Sequence, residues 1–552
     1  MEKETELINK FLKNIKPREY QEEILKKCIE KNCLVILPTG VGKTLIALML
    51  VITRMGKFPL EKILFLAPTR PLAQQHFNYF KKHLPELFAQ MELFTGKINA
   101  NERLKLWQKT DIIFSTPQCI GNDLKNKLYD LSDVSLLIED ECHRCVKNYS
   151  YTYVAKKYVE ESKNQRILGL TASPGADKQT IQTICKNLSI EDVEIRTRES
   201  EDVKNYLQEI QFNVIKLEFP DKFKEIRDIL KLILSKKIDE LKSRKILFGA
   251  STKIGLIETQ NRIMRSLASG NKNFSLFNGA SLCAQAIKIH HAIELIETQT
   301  LYTLDNYIKS LFEQSSKNQS KAVKRLTTSP EFNKAYSLVQ ELVAQNIEHP
   351  KLFELMELVE QRIKKNKNSK IIIFSQYRDS VTKICKDLNK LNIPSKTFVG
   401  QTKKQNKTKD FSGLSQKEQQ KLIDDFSKGD FNVLCATSIG EEGLDIPEVN
   451  TVIFYEPVPS AIRKIQRAGR TARLIPGELI TLVTKETRDE INYWAAFQKE
   501  KRMHKAINSI KEDLKEGKIN FQEESSNLKD NLDKSIIETN EKEKQKFLNE
   551  FK

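Results

Sequence analysis

The sequence predicts an α/β fold in which two parallel-sheet domains flank an all-helical segment. Between residues 33 and 173, short apolar runs such as CLVILPT (33–39) and VSLLIEDE (134–141) alternate with longer amphipathic stretches. Nearly continuous apolar strands separated by helices are typical of a parallel sheet covered on both faces. The alternation stops near residue 200 and resumes at KIIIFSQY (370–377). Two such sheets, with a different structure between them, therefore account for the pattern.

The first predicted domain covers residues 1–200 and contains five apolar runs that fit strands. Each run is short, rich in Ile, Leu and Val, and bounded by polar, proline or glycine residues. Ligands bind at the carboxyl ends of parallel strands, so the residues that follow each run are candidate functional residues. The runs are 33–39, 62–69, 111–117, 134–141 and 166–173.

Residues 201–348 are predicted to form an all-helical insert. Apolar residues recur at intervals of three and four in 221–242, and a second helix is predicted over 284–299. No proline occurs between Pro220 and Pro330, which favours helices of several turns.

The second α/β domain is predicted at 349–508, and the residues that follow, 509–552, have a different composition. The last segment is rich in Lys, Glu and Asp and poor in large apolar residues, so we predict a charged tail that is disordered or forms a loosely attached helix. The apolar runs of the second domain are 370–377, 431–438, 451–457 and 478–484.

Composition narrows the class of protein. The formal net charge is +18, which suggests a polyanionic partner such as nucleic acid, although a solvated lysine-rich surface has the same composition. Nine cysteines in 552 residues are too sparse for a disulfide framework. The longest apolar run, LIALMLVI (45–52), is far shorter than the ~18 residues of a membrane span. We therefore expect a cytoplasmic, nucleoid-associated protein without a membrane partner.

The segment LPTGVGKT (37–44) predicts a phosphate-binding loop. It follows an apolar strand and precedes the helical run 45–52, so its backbone N–H groups and the positive helix end can meet phosphates. Lys43 can reach the outer phosphates and the Thr44 hydroxyl can hold Mg²⁺. Leu37 stands where the usual pattern begins with glycine.

The segment VSLLIEDECH (134–143) carries three acidic residues after its apolar run, and the last two are candidate catalytic residues. Asp140 and Glu141 come at the carboxyl end of the predicted strand, in the same domain as the phosphate loop. Asp140 can hold Mg²⁺, and Glu141 can orient or deprotonate the attacking water. Together with the phosphate loop, this pair indicates ATP hydrolysis.

The segment QRAGRTAR (466–473) lies in the second α/β domain. Arg467, Arg470 and Arg473 recur every three residues, which places their guanidinium groups along one face of a helix. An arginine supplied by another module often stabilises the charge that develops on the γ-phosphate. Arg470 and Arg473 are therefore candidate arginine fingers.

Taken together, these segments resemble the motifs of superfamily 2 helicases in the order in which that family carries them. The resemblance implies two RecA-like domains that close on ATP and move along nucleic acid. The matching segments are PREYQ (17–21), LPTGVGKT (37–44), APTRPLAQQ (67–75), FTGK (94–97), STPQ (115–118), DECH (140–143), TASP (171–174), IIIFSQYRDS (371–380), ATSIGEEGLDIP (436–447) and QRAGRTAR (466–473).

The resemblance implies ATP and Mg²⁺ as cofactors and carries the family's nucleotide residues onto this chain. The residues expected to bind ATP are Arg18, Gln21, Leu37, Pro38, Thr39, Gly40, Val41, Gly42, Lys43, Thr44, Gly443 and Asp445, with Gln21 contacting the adenine base. The residues expected to act in hydrolysis are Lys43, Asp140, Glu141, Gln466, Arg470 and Arg473, and those expected to hold the metal are Thr44 and Asp140.

The same resemblance implies a single-stranded track that crosses both domains, held through phosphate and sugar contacts. The residues expected to contact it are Thr69, Arg70, Thr95, Gly96, Thr116, Ser375 and Thr437. Coupling between this track and the ATP site is expected from His143, Thr171 and Ser173.

A narrower resemblance points to the archaeal Hef helicases and their FANCM relatives. It rests on FVGQ (398–401), GLSQKEQQ (413–420), HHAIELIETQ (290–299) and the long segment from 440 to 467. In that family the helicase moves 3′→5′ and remodels forked or branched DNA, and the resemblance implies that the helical insert, 201–348 here, helps to grip the duplex arms. Many Hef proteins continue into an XPF-type nuclease region that this sequence does not contain, so we expect any nuclease to be a separate partner.

Two alternatives remain open at this stage. A double-stranded-RNA-dependent ATPase of the RIG-I/Dicer type shares a DECH motif and a helical insert. A scaffold that recruits a nuclease or a sliding clamp would make hydrolysis secondary. The final octet QKFLNEFK (545–552) resembles the peptide that binds the sliding clamp PCNA, with Gln545, Leu548 and Phe551 at matching positions.

Overall fold

The computed structural model describes residues 2–270, 273–400, 413–437, 446–458, 460, 471 and 476–521. The first sheet has seven strands, all parallel to their neighbours. They are β1 (Cys33–Ile36), β2 (Lys62–Leu66), β3 (Met91–Phe94), β4 (Ile112–Ser115), β5 (Val134–Asp140), β6 (Ile167–Thr171) and β7 (Asp192–Ile195). Their order across the sheet is β3-β4-β2-β5-β6-β1-β7.

Helices cover both faces of this sheet because its strands are apolar on both sides. Along β1, Leu34 and Ile36 join one hydrophobic core while Cys33 and Val35 join the other, as the two-residue period of a strand requires. The helices are α1 (Glu2–Phe11), α2 (Glu19–Glu30), α3 (Lys43–Lys57), α4 (Arg70–His83), α5 (Ala100–Lys109), α6 (Pro117–Lys125), α7 (Ser150–Glu161), α8 (Lys178–Asn187) and the short α9 (Glu201–Lys204), with a 3₁₀ turn at Cys142–Arg144.

A helical bundle follows, with its own core. Its longest members, α10 (Asp221–Ser243) and α12 (Phe274–Thr298), pack against each other, and buried Phe223, Leu230 and Ile293 belong to the same apolar cluster. The remaining helices of the bundle are α11 (Lys253–Ala268), α13 (Leu301–Ser316), α14 (Lys321–Thr327) and α15 (Pro330–Ala344).

The second sheet has six parallel strands among the described residues. They are β8 (Ile210–Leu217), β9 (Ile371–Phe374), β10 (Ser395–Phe398), β11 (Val433–Ala436), β12 (Thr451–Phe454) and β13 (Gly477–Thr484), in the order β10-β11-β9-β12-β13-β8. The helices of this part are α16 (Pro350–Lys365), α17 (Arg378–Lys390), α18 (Gln416–Lys428) and α19 (Arg488–Lys515). The predicted architecture of two parallel-sheet domains around a helical segment is confirmed.

Two local predictions need correction. Residues 201–348 were assigned to the helical insert, but β8 within them forms the edge of the second sheet, paired along its whole length with β13. Its residues are mostly exposed, so the strand lacks the continuous apolar run by which the other strands were recognised. The charged segment 509–552 is predicted to be disordered or a loosely attached helix, but its described part, 509–521, continues a helix and packs firmly, with Ile510 and Phe521 buried in the core of the first domain. Helix α19 thus returns from the second sheet to the first.

Candidate functional site

The phosphate loop lies between β1 and α3, as the sequence predicts. Gly40 and Gly42 have φ angles of 87° and 81°, in the left-handed region that residues with a Cβ rarely adopt. The turn directs the chain into the N-terminus of α3, where backbone N–H groups and the helix dipole favour an anion. The Lys43 ammonium donates to the Leu37 carbonyl at 3.0 Å. The segment 37–44 therefore forms a cradle suited to the phosphates of a nucleotide.

Helix α2 supports this loop from one side. The Gln21 amide donates to the Val41 carbonyl at 3.0 Å, and its oxygen accepts the Arg18 backbone N–H at 2.9 Å. Tyr20, which the sequence did not single out, donates to the same Val41 carbonyl at 2.5 Å. The Arg18 guanidinium lies 4.6 Å from the centre of the Tyr206 ring. Gln21 is thus placed against the phosphate loop, and its contact with adenine stays a prediction.

The acidic pair follows β5, two strands away from β1 in the sheet. The Asp140 side chain is 10% exposed, and its main-chain carbonyl accepts the Tyr151 hydroxyl at 2.7 Å. Burial raises the pKa of the Asp140 carboxyl, but His76, and then Lys43, outweigh it, so the pKa lies below its ordinary value. Mg²⁺ prefers oxygen ligands and is usually bound by one or two carboxylates together with phosphate oxygens. A carboxylate in this position therefore suits it.

Glu141 occupies an unfavourable backbone conformation. Its φ and ψ angles are 51° and 44°, in the left-handed region, although it carries a long side chain. Such residues cost on the order of 1–3 kcal/mol and cluster at functional sites. The conformation directs the chain into the Cys142–Arg144 turn, and the Glu141 carboxylate lies 3.2 Å from His143 Nδ1.

The residues predicted to couple the two sites do meet. His143 Nδ1 lies 3.3 Å from the Thr171 hydroxyl at the end of β6, and Thr171 donates to the Ser173 carbonyl at 3.1 Å. The Ser173 hydroxyl then contacts the Met503 sulfur of α19 at 2.9 Å. Met503 could not be found from the sequence, because its partner is 330 residues away.

A second residue that sequence reasoning missed is His76 of α4. Its Nε2 lies 2.9 Å from Asp140 Oδ2, and only 9% of its side chain is exposed. Its one sequence signal is its place next to APTRPLAQQ (67–75), which by itself does not separate a packing histidine from a functional one.

The predicted nucleic-acid contacts of the first domain share one edge of the sheet. Thr69 and Arg70 follow β2, Thr95 and Gly96 follow β3, and Thr116 follows β4, three strands that are neighbours in the order β3-β4-β2. Gly96 is exposed, whereas Thr95 is buried at 8% exposure. The next strand in the sheet is β5, so this edge continues directly into Asp140.

The predicted nucleic-acid contacts of the second domain are less accessible than those of the first. Ser375 is fully buried, and its hydroxyl lies 3.1 Å from both Gln299 of the helical bundle and Glu456. Its side chain is turned into the protein, which corrects the prediction that it contacts nucleic acid. Thr437 follows β11 and is 7% exposed. The predicted residues Gly443, Asp445, Gln466, Arg470 and Arg473 lie outside the described residues.

Family comparisons cover three separate parts of the chain. Residues 14–176 match the family described as type III restriction enzyme, res subunit, and residues 351–475 match the helicase conserved C-terminal domain. Residues 222–347 match the family described as "Putative ATP-dependent RNA helicase, helical bundle".

Similar whole proteins carry both DNA and RNA in their names. A "Putative ATP-dependent RNA helicase" of Methanocaldococcus jannaschii is 37% identical over 90% of this chain and 61% of its own length. The ATP-dependent DNA helicase mph1 of Neurospora crassa is 33% identical over 86% of this chain and 41% of its own. The Fanconi anemia group M protein homolog of mouse is 30% identical over 91% of this chain and 26% of its own. The chain thus spans less than two thirds of these relatives.

One solved structure matches this chain over nearly the whole length of the solved protein. The crystal structure of the Pyrococcus furiosus Hef helicase domain is 42% identical and superposes with a TM-score of 0.66, covering 87% of this chain and 98% of that chain. Within the described ranges, no helix is long and apolar enough to cross a membrane.

Proposed function

Since this chain belongs to the superfamily 2 helicases of the Hef/FANCM type, we propose that it moves 3′→5′ along DNA and remodels forked or branched DNA. One observation carries the proposal: the candidate contacts Thr69, Thr95 and Thr116 follow three adjacent strands, on the edge that continues into Asp140. Contacts of this kind go to phosphate and sugar, which lets a motor advance without reading sequence. A role in replication-fork repair and recombination follows from that substrate.

Hydrolysis in this proposal depends on residues of the first sheet. Lys43 and the loop N–H groups bind the phosphates, while Thr44 and Asp140 would hold the metal. Mg²⁺ supplies charge neutralisation on the phosphate oxygens when it is bound. Glu141 accepts the proton of the attacking water, and Arg470 and Arg473 approach the γ-phosphate from the second domain, as the family resemblance implies.

The helical bundle would grip the duplex arms, and its attachment to the second sheet supports this role. The Tyr377 hydroxyl donates to Glu294 of α12 at 2.8 Å, and the Ser380 hydroxyl donates to Gln299 at 2.8 Å. The Lys351 ammonium donates to the Thr298 carbonyl at the end of the same helix at 2.6 Å. A load on the bundle is therefore transmitted to the second sheet rather than absorbed by a loose connection.

The choice of DNA over RNA is tested by steady-state ATPase measurements at one fixed salt concentration, because phosphate contacts make affinity salt-dependent. Wild type and Glu141→Gln are compared on forked DNA, linear duplex DNA, single-stranded DNA and double-stranded RNA. Stimulation by forked DNA that is lost in the variant supports the proposal. Stimulation by duplex RNA alone favours the RIG-I/Dicer type of motor, and turnover that no nucleic acid changes favours the scaffold.

Direction is tested separately, with partial duplexes that carry a single-stranded loading strand of either polarity. The proposal expects displacement of the strand annealed ahead of a 3′→5′ motor and none on the opposite substrate. Equal displacement on both substrates contradicts the assigned direction but leaves helicase activity in place.

Two partners are proposed on resemblance alone: a sliding clamp, because the final octet resembles the clamp-binding peptide, and a separate XPF-type nuclease, because of the Hef resemblance. The clamp contact would use Gln545, Leu548 and Phe551, which lie outside the described residues. If Leu548→Ala and Phe551→Ala bind the clamp as wild type does in a titration, that contact does not exist. Co-purification of a nuclease with the tagged chain, resistant to nuclease digestion of bridging DNA, would test the second partner.

A further inference from the structure

Helix α4 physically connects the candidate nucleic-acid edge with the ATP site. It begins at Arg70, directly after Thr69, and continues to His83. His76 lies six positions after Arg70, which along an α-helix is about 9 Å. The two ends of this short path are a candidate phosphate contact and the candidate metal ligand Asp140.

The ring of His76 is held firmly. Its centre lies 4.5 Å from that of the tilted Phe65 ring of β2, and Phe65 in turn packs against Phe80 and Phe114 at 5.7 and 5.3 Å. Phe65 also pairs across the sheet with Ile138 of β5, two residues before Asp140. Because this aromatic cluster is buried, the ring cannot turn away from the carboxylate without disturbing the core.

We propose that His76 is a positioning residue for Mg²⁺-ATP: its Nε2–H holds the Asp140 carboxylate in the orientation that takes up the metal and ties that carboxylate to the start of helix α4. The bond is 2.9 Å long and almost completely shielded from water. A carboxylate has about four acceptor sites, so one bond to His76 leaves capacity for a metal or its water. Groups that hydrogen-bond a metal ligand typically change metal affinity or activity 10–100-fold when removed.

The main chain of Asp140 is fixed from a different element. Tyr151 of α7, which is fully buried, donates to the Asp140 carbonyl at 2.7 Å. Backbone and side chain are thus oriented independently, by α7 and α4. Of these two helices, α4 is the one whose N-terminus carries candidate nucleic-acid contacts, so a shift there on binding would reach the carboxylate through His76. This coupling rests on the proposed function, whereas the positioning of Asp140 does not.

The experiment measures how much Mg²⁺ is needed to bind a fluorescent ATP analogue, without nucleic acid and in the Glu141→Gln background, which removes hydrolysis. We expect His76→Ala to raise the half-saturating Mg²⁺ concentration about 10–100-fold. Affinity for the analogue in EDTA should stay at the level of the parent protein. His76→Gln, whose amide can donate to the same oxygen, should restore most of the Mg²⁺ response.

His83→Ala is the matched control. His83 ends the same helix, is equally buried, packs against Tyr79 and lies 2.9 Å from the Lys13 carbonyl rather than beside Asp140. It should lower thermal stability without moving the Mg²⁺ midpoint. An unchanged midpoint in His76→Ala, or an equal shift in His83→Ala, would overturn the proposal. If His76→Ala does not fold, equal Mg²⁺ midpoints for His76→Gln and the shorter His76→Asn would overturn it too.

Coupling has its own readout in the Glu141 wild-type background. At saturating Mg²⁺, forked DNA should stimulate the ATPase of His76→Ala less than that of His83→Ala. Equal stimulation of the two would overturn the coupling and leave the positioning role. If forked DNA stimulates none of the proteins, including wild type, the proposed function fails, while the Mg²⁺ titration still decides the role of His76.

Discussion

The contacts His76–Asp140 and Lys351–Asp489 are both buried, but they differ in what they leave available to a ligand. At the nucleotide edge of the first sheet, one oxygen of Asp140 meets His76, and the adjoining Glu141 has a strained backbone. Where the helical bundle meets the second sheet, Lys351 and Asp489 are 0% exposed and 2.6 Å apart. Lys351 also donates to Thr298 and faces the Tyr455 ring at 4.9 Å.

The Asp140 carboxylate can still bind a ligand, whereas the Lys351 ammonium serves the structure of the protein. The Lys351 ammonium is spent on contacts within the protein: it donates to Asp489 and to the Thr298 carbonyl and faces the Tyr455 ring, and so fixes three elements together: α12, α16 and α19. Asp140 retains acceptor capacity, and Glu141 retains strain. Substitutions at Asp140 or Glu141 should therefore change the rate of hydrolysis, and substitutions at Lys351 or Asp489 should change the free energy of unfolding.

The largest expected effect is on hydrolysis. Glu141→Gln removes the candidate base without changing side-chain volume, and loss of a general base typically lowers kcat about 10²–10⁴-fold. We expect thermal stability and Mg²⁺-dependent nucleotide affinity to stay close to those of wild type. A melting temperature that falls together with kcat would show that Glu141, like Lys351, supports the fold.

The reverse result is expected at the structural ion pair. Lys351→Ala leaves Asp489 buried without its partner, which typically costs about 3–5 kcal/mol in the free energy of unfolding. Urea unfolding measures it, with Lys364→Ala on the same helix as the control, because the Lys364 side chain is 71% exposed. Lys351→Met combined with Asp489→Asn should recover part of the loss. A loss as small as that of Lys364→Ala would mean that the pair contributes nothing to stability.

This contrast also explains which parts of the molecule could be predicted from sequence. The phosphate loop and the acidic pair are local patterns, each formed by a strand and the few residues after it, so their placement could be predicted. The contacts His76–Asp140, Lys351–Asp489 and Ser173–Met503 join residues 64, 138 and 330 positions apart. Long-range pairing has no local periodicity, and therefore none of these could be found. Edge strand β8 was missed because exposure on both faces removed its apolar signature.

Stability at the junction between the helical bundle and the second domain is also expected to depend on pH. Burial, and next the charge of Arg488, lower the pKa of His290 to about 4. Arg488 donates to the His290 ring at 3.2 Å, and Lys253 adds positive charge while Glu294 opposes it. Because the pKa is lower in the folded state than the ordinary 6.5, the unfolded chain binds the proton more readily. The stabilising contribution is present above pH 6.5 and is lost as the pH falls towards 4.

His290→Gln tests this by removing the titrating group and keeping an acceptor for Arg488. Unfolding free energies measured between pH 7 and 4 should fall more steeply for wild type than for the variant. Identical slopes would mean that protonation of His290 does not contribute to the loss of stability at low pH.

The smallest expected effect concerns the return of α19 to the first sheet, which contacts both regions of the comparison. Lys511 of α19 lies 3.0 Å from Glu194 of β7, whose side chain is 1% exposed, but Lys27 and Arg196 also contact that carboxylate, at 2.5 and 2.8 Å. Lys511→Ala leaves two cations beside Glu194, so we expect a loss of only about 1 kcal/mol. Urea unfolding of Lys511→Ala, with Lys515→Ala as control, measures it. A loss as large as that of Lys351→Ala would mean that this single contact holds α19 to the first sheet. A small loss would mean that Lys27 and Arg196 are enough to keep Glu194 paired.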